Sequence, residues 1–121
     1  MTSYLLVALG GGLGAVARFG LGESLNRASF PLGTLAANVI GGLLMGVLAG
    51  WLMGRAGGEG ARLLIGVGLL GGFTTFSSFS LETIAMMERG QWSGALAYVA
   101  ASVILSLFAC AAGLALTRAV L

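Results

Sequence analysis

Four long apolar stretches alternate with three short polar ones along the chain. The apolar stretches run from about Ser3 to Leu25, Thr34 to Gly54, Leu63 to Met87 and Ser93 to Arg118. Each is long enough for a membrane helix, since a bilayer core of about 30 Å needs about 20 helical residues. The connectors are "NRASFPLG", "RAGGEGAR" and "ERGQW". Pro31 and Gly33 punctuate the first, the second reads as a flexible polar loop, and the third is a tight turn with Trp92 suited to the membrane interface. Glu23 and Arg27 stand four residues apart and are expected to pair at the wet end of span one. The pattern predicts an all-α membrane protein, one transmembrane domain over residues 1–121, with both ends of the chain on the same side.

Composition agrees. Of the 121 residues, 58% are hydrophobic and 8% are charged, against about 25% charged in soluble domains. Mean hydropathy is +1.03. All six basic residues are arginines. The sequence pI of 9.3 rests on a net charge of only +2, which gives no reason to expect nucleic-acid binding. There is no histidine, and Cys110 is the single cysteine, so one chain can make neither a disulfide nor a Cys/His metal site. The N-terminus lacks the basic region of a cleavable signal peptide.

Charge says little about orientation. Arg55, Arg62 and Arg118 fall on one side and Arg27 and Arg89 on the other, whereas insertion normally follows a clear arginine and lysine excess. Either the sample is too small, or the chain inserts both ways and pairs antiparallel. Glycine is more informative. Gly42, Gly46, Gly50 and Gly54 recur at every fourth position of span two, as do Gly10 and Gly14 in span one. Small residues at this spacing let helix backbones approach closely. Whether the stripes pack within a chain or between chains stays open.

Four polar features lie where lipid would be expected. Arg18 follows an uncharged stretch; a central arginine costs about 2.5–3.5 kcal/mol on insertion scales, so it is an interfacial anchor or a fixed charge at the mouth of an anion path. Asn38 lies one turn into span two, and a buried amide must find partners; it bonds another helix or donates to an anion. Tyr98, Ser102 and Ser106 share one face of span four. Serines often bond back to the i−4 carbonyl, but three hydroxyls in register suit an ion-facing stripe. Last is "GGFTTFSSFS", Gly71 to Ser80, with five hydroxyl side chains. It invites a helix break near Gly71–Thr75. Irregular backbone at membrane depth is tolerated only inside protein or beside a watery cavity, and it frees carbonyls for a cation and N–H groups for an anion. Phe76 and Phe79 would share a face if helix resumes; packing is the plain reading, but a ring's edge is its positive rim.

Three stretches resemble the small fluoride channels of the Fluc/CrcB family. "GGGLGAVAR" is similar to that family's GGxxGAxxR, "GTLAANVIGG" to its GTLxxNxxG, and "GGFTTFSSFSLE" to its GGxTTFSTFSxE. The motifs keep the family's order on three successive spans, and the length fits throughout. Ser78 departs from the usual threonine but keeps the hydroxyl. The resemblance implies a dual-topology antiparallel homodimer with two ion pathways in the cell inner membrane. It implies a structural Na⁺ at the dimer centre, held by the main-chain carbonyls of Gly71 and Thr74. It also implies a fluoride pathway of Asn38, Phe76, Phe79, Tyr98, Ser102 and Ser106, flanked by Arg18, Glu82, Ser77 and Thr75. The expected activity is passive, fluoride-selective export that relieves fluoride toxicity.

The chemistry suits a small, strongly hydrated anion. Hydroxyls, an amide NH₂ and aromatic edges are graded donors, and conduction needs sites weak enough to leave. The main rival is a small proton- or cation-coupled antiporter of the small multidrug resistance type, which needs a first-span carboxylate; Glu23 lies near that span's end, though Glu82 keeps the rival alive. An enzymatic reading takes "YLLVALGGGLGAVAR" as strand, glycine turn and helix for a dinucleotide, but the required acid about 20 residues on is missing. A purely structural membrane subunit would leave the hydroxyl cluster unexplained.

Overall fold

The computed structural model describes residues 1–26 and 29–121. The expected Glu23–Arg27 pair therefore falls on a residue outside the described ones. Helix α1 spans Thr2–Leu25 and α2 spans Leu32–Leu52. The third span is composite: α3 (Glu59–Ala61), a π-helical segment (Arg62–Leu70) and α4 (Gly71–Phe73) run on without interruption. Two extended residues follow, and the span resumes as α5 (Phe76–Glu88). Helix α6 spans Trp92–Val120. These elements give four helices long and apolar enough to cross a membrane. The protein is a multi-pass membrane protein.

The helix ends have local causes. Pro31 at the start of α2 has no side-chain acceptor to offer. Asn26 stands in from across the loop, its Oδ1 accepting from Gly33 N at 2.7 Å and Thr34 N at 3.3 Å. An N-cap of this kind satisfies two of the helix's four free N–H groups. Helix α5 is stopped by Gly90, two residues past its end, at φ +77°. Gly90 N donates to Met87 O and Gln91 N to Met86 O, both at 2.9 Å, the Schellman pattern for which a residue free to adopt left-handed φ is needed. Span two ends two residues before the predicted Gly54, which instead turns the chain at φ +76°. Span three starts earlier than predicted. The last residues of "RAGGEGAR" are helical, drawn in by a two-pronged Glu59–Arg62 pair at 2.9 and 2.7 Å, one turn apart.

The glycine stripes pack helices within the chain. Helix α2 lies chiefly against α6, and α1 against the π segment. A Cβ at Gly46 would lie 2.9 Å from Leu114 N and would strike Cys110 O; at Gly50 it would meet Thr117 Cβ at 2.8 Å. In α1, a Cβ at Gly10 would lie 2.8 Å from Leu69 N, and one at Gly14 2.8 Å from Phe73 N. Gly54 takes no part, being beyond the helix. No feature of "RLLIGVGLL" announced the π geometry; its backbone touches that of α1, as the backbone of α4 also does. The first-span motif read as a strand and glycine turn is helical throughout, which removes the dinucleotide-binding reading.

The outer faces are apolar. Tyr4, Leu13, Phe19, Leu107 and Phe108 are all more than half exposed, as faces turned to lipid or to another chain would be. The buried cluster is small: Phe79, Met86, Ala95 and Tyr98, with Phe30 packed on it.

Candidate functional site

The third span breaks at Thr74 and Thr75, within the predicted Gly71–Thr75 window. Thr74 is extended at ψ 156° and Thr75 at φ −154°, ψ 124°. Side chains close both cut ends. Thr74 Oγ1 donates to Leu70 O at 2.9 Å, beside Thr74 N on the same carbonyl at 3.0 Å. Thr75 is the N-cap of α5, its Oγ1 accepting from Ser78 N at 3.1 Å and meeting Ser77 Oγ at 3.2 Å. Two neighbours then clasp the break. Asn38 Oδ1 accepts from Thr75 N at 2.8 Å, and Asn38 Nδ2 donates to Thr75 O at 3.0 Å. The amide pairs with this extended residue as an adjacent strand would. Arg18 Nε donates to Gly72 O at 3.2 Å. Room for the break comes from Gly41, where a Cβ would strike the Thr74 methyl group.

These bonds use two of the carbonyls exposed by the break and leave others. No donor among the described residues meets the carbonyl of Gly71 or Thr74. Such oxygens are hard ligands suited to a monovalent or divalent cation. Among the described residues no cluster of histidine, cysteine or carboxylate side chains could hold a metal, so any cation here would rest on the backbone.

A cavity of about 580 Å³ opens beside the break, between α2, α5 and α6. Asn38, Thr75, Phe76, Phe79, Ser102 and Ser106 line it. Helix α5 does resume in time to set Phe76 and Phe79 on one face, ring centroids 5.3 Å apart and tilted by 52°. Phe79 is buried and Phe76 is 77% exposed. Plain core packing accounts for Phe79 but not for Phe76. The serines are the sharper observation. Ser102 Oγ and Ser106 Oγ are buried and have no hydrogen-bond partner among the described residues. Back-bonding to the i−4 carbonyl, which Ser24, Ser80, Thr83 and Thr117 all show, is absent at both. An unpaired buried hydroxyl costs about 1–3 kcal/mol, a cost that water or another small polar partner in the adjoining cavity would relieve.

Tyr98 belongs to another arrangement. It is fully buried, outside the cavity wall, and its hydroxyl donates to Glu82 Oε2 at 2.7 Å. Thr34 Oγ1 donates to Glu82 Oε1 at 2.8 Å. Glu82 thus ties α2, α5 and α6 together, with both oxygens engaged. Phe79 separates this triad from the cavity, its ring centroid 5.3 Å from that of Tyr98. On the far side of Glu82 a small cleft of about 180 Å³ reaches Arg89. The predicted row of three hydroxyls is real as a face but divided in use: two are free and one is bound to a carboxylate. Ser77 is exposed beside Thr75, and Glu23 is exposed at the end of α1.

Three residues escaped the sequence reading. Thr34, within "GTLAANVIGG", proves to be the second donor to Glu82. Gly41 makes space for the break, and the Gly72 carbonyl is the target of Arg18. Their motif positions marked them, but partners 33 to 54 residues distant in sequence are not visible without the fold.

A family model described as CrcB-like protein, Camphor Resistance (CrcB), matches residues 5–114. The chain belongs to this family. A protein of Novosphingobium aromaticivorans named fluoride-specific ion channel FluC is 51% identical, over 99% of each chain. One of Caulobacter sp. (strain K31) with the same name is 52% identical over 98% of this chain and 96% of its own. A third, from Phenylobacterium zucineum, is 53% identical over 99% and 98%.

Proposed function

We propose that this CrcB-like chain is a passive fluoride-selective channel, exporting fluoride across the inner membrane and so relieving its toxicity. The observation that carries the reading is the pair of unpartnered hydroxyls, Ser102 and Ser106, in a cavity shared with Asn38, Phe76 and Phe79. Near full-length relatives named as fluoride-specific channels support it. In the cavity the donors are neutral. Asn38 has two amide N–H groups, of which Thr75 takes one. The serine hydroxyls donate next, and the Phe76 and Phe79 edges offer a weak positive rim. Each step replaces part of the hydration shell without holding the ion fast, as conduction demands. Among the described residues the nearby cation is Arg18, tied to the Gly72 carbonyl behind the break; there it fixes the backbone and adds a positive field rather than a trap.

The working unit is an antiparallel homodimer of chains that insert both ways, with two pathways. The near-even arginine bias supports this, as does the open, apolar rim of the cavity with Phe76 exposed at its edge. A Na⁺ fits the free carbonyls of Gly71 and Thr74. Two oxygens under-coordinate a hard cation, so the same pair from the second chain completes the set. Bound there, the ion supplies charge that offsets carbonyl ends and locks the two breaks together. Glu82, held by Thr34 and Tyr98, keeps α5 and α6 in register beside the pathway.

The antiporter alternative needs a carboxylate free to exchange a proton or cation. Glu82 has both oxygens bonded to hydroxyls, and Glu23 is at a helix end. Purified protein in liposomes separates the readings. Fluoride should leave down its gradient without a pH difference, and fluoride flux should fall when Na⁺ is removed from both sides. Drug uptake driven by a pH gradient, with no passive fluoride efflux, would favour the antiporter.

A further inference from the structure

At the shared end of α2 and α6 lies a cleft of about 530 Å³, walled by Trp51, Met53, Arg55 and Arg118. Neither arginine has a carboxylate within ion-pair distance among the described residues; the ion pair at this end joins Arg62 to Glu59. Arg118 turns two N–H groups on Met53 Sδ, at 3.4 and 3.3 Å. A thioether is a weak acceptor, so the strongest donors in the cleft face the poorest partner. Arg55 lies over the Trp51 ring at 4.7 Å and gives its Nε to Trp51 O at 2.8 Å. Its terminal nitrogens have no partner among the described residues.

Each arginine taken alone has a local explanation, since a cation near a helix C-terminus complements the carbonyl ends. That does not explain two guanidinium groups converging on one cleft. We propose that the cleft binds the phosphate of an anionic phospholipid. Guanidinium groups match phosphate oxygens in paired hydrogen bonds. Trp51, amphipathic and partly exposed, is at the end of a membrane span, the level of lipid headgroups. Met53 also walls a second, mostly apolar groove of about 420 Å³, with Arg62 in its wall and Leu48, Ala49, Leu52 and Val67 along it toward hydrocarbon depth. A free phosphate has no use for that groove; an acyl chain does.

The test is thermal unfolding of the purified chain in detergent, with phosphatidylglycerol, phosphatidylcholine or inorganic phosphate added. Phosphatidylglycerol should raise the midpoint, and the other two should not. Arg55→Gln and Arg118→Gln should each weaken the apparent affinity about fivefold, the worth of one arginine near an anionic headgroup. Arg89→Gln, beyond α5 at the other end of the third span, should respond as the wild-type chain does. Ala49→Trp, which fills the groove, should weaken the lipid response without changing the association state. Equal shifts from the two lipids, or arginine variants that still respond fully, would overturn the site. A matching shift from inorganic phosphate would overturn the lipid assignment. An Ala49→Trp chain that changes only its association state would show that the groove receives a second copy, not an acyl chain.

Discussion

Replacing Ser102 and Ser106 by alanine separates a hydroxyl that conducts from one that holds the fold. Neither Oγ has a partner among the described residues, and Ser102 is 6% exposed. Alanine therefore removes no hydrogen bond from the chain. It removes instead a polar group whose burial costs about 1–3 kcal/mol when unpaired. Water in the adjoining cavity would reduce that cost, so the double variant should unfold at the wild-type midpoint or above it. Its conduction should suffer. A hydrogen bond to a charged partner contributes about 1.5–3 kcal/mol, so losing one from the rate-limiting passage slows flux by roughly 10- to 150-fold. The assay pairs fluoride-electrode efflux from liposomes with thermal unfolding in detergent. A variant that unfolds earlier yet conducts at the wild-type rate would refute the assignment, because the hydroxyls would then be structural.

Asn38→Leu should lose both properties at once: it leaves Thr75 N–H and C=O unpaired at the break, worth about 1–3 kcal/mol each, and an unfolding midpoint equal to wild type would contradict the clasp. Phe76→Ile should cut flux without lowering the unfolding midpoint, since Phe76 is 77% exposed; an unchanged rate would remove the ring-edge argument. Tyr98→Phe deletes the donor to Glu82 and should destabilise by about 1.5–3 kcal/mol, read in chemical unfolding; a neutral result would mean that the triad does not tie the helices. Gly46→Leu forces a side chain into the α6 backbone at Cys110 and should cost at least about 1–3 kcal/mol, as overpacking does, read as a lower unfolding midpoint; an unchanged midpoint would mean that α2 and α6 do not approach at this residue.

The four spans were legible because apolar length is the main signal a membrane imposes, and Leu32–Leu52 and Trp92–Val120 differ from expectation by only one or two residues at each end. The break was legible because adjacent glycines followed by a Thr/Ser cluster invite one, and irregular backbone at membrane depth must be buried in protein or line a cavity. What decides the site is long-range. Asn38 could have met an anion or a helix; the structure gives its amide to Thr75, and only the backbone geometry of the break could reveal that. Tyr98, Ser102 and Ser106 share a face by spacing alone, yet Glu82 takes the first and no described residue takes the others. The π segment was not legible at all, since the backbone contact that accompanies it involves Gly10 and Gly14, more than fifty residues away. The start of span three was misplaced because Glu59 and Arg62 read as loop charges, although at one-turn spacing they stabilise a helix end.

The central claim is that the cavity of Asn38, Phe76, Phe79, Ser102 and Ser106 passes fluoride and discriminates against its larger relative. Liposomes carrying the purified chain and loaded with both potassium fluoride and potassium chloride test it directly when the two anions are followed by separate electrodes. The account predicts rapid fluoride efflux with chloride retained. Equal release of both anions, or retention of both, would contradict it.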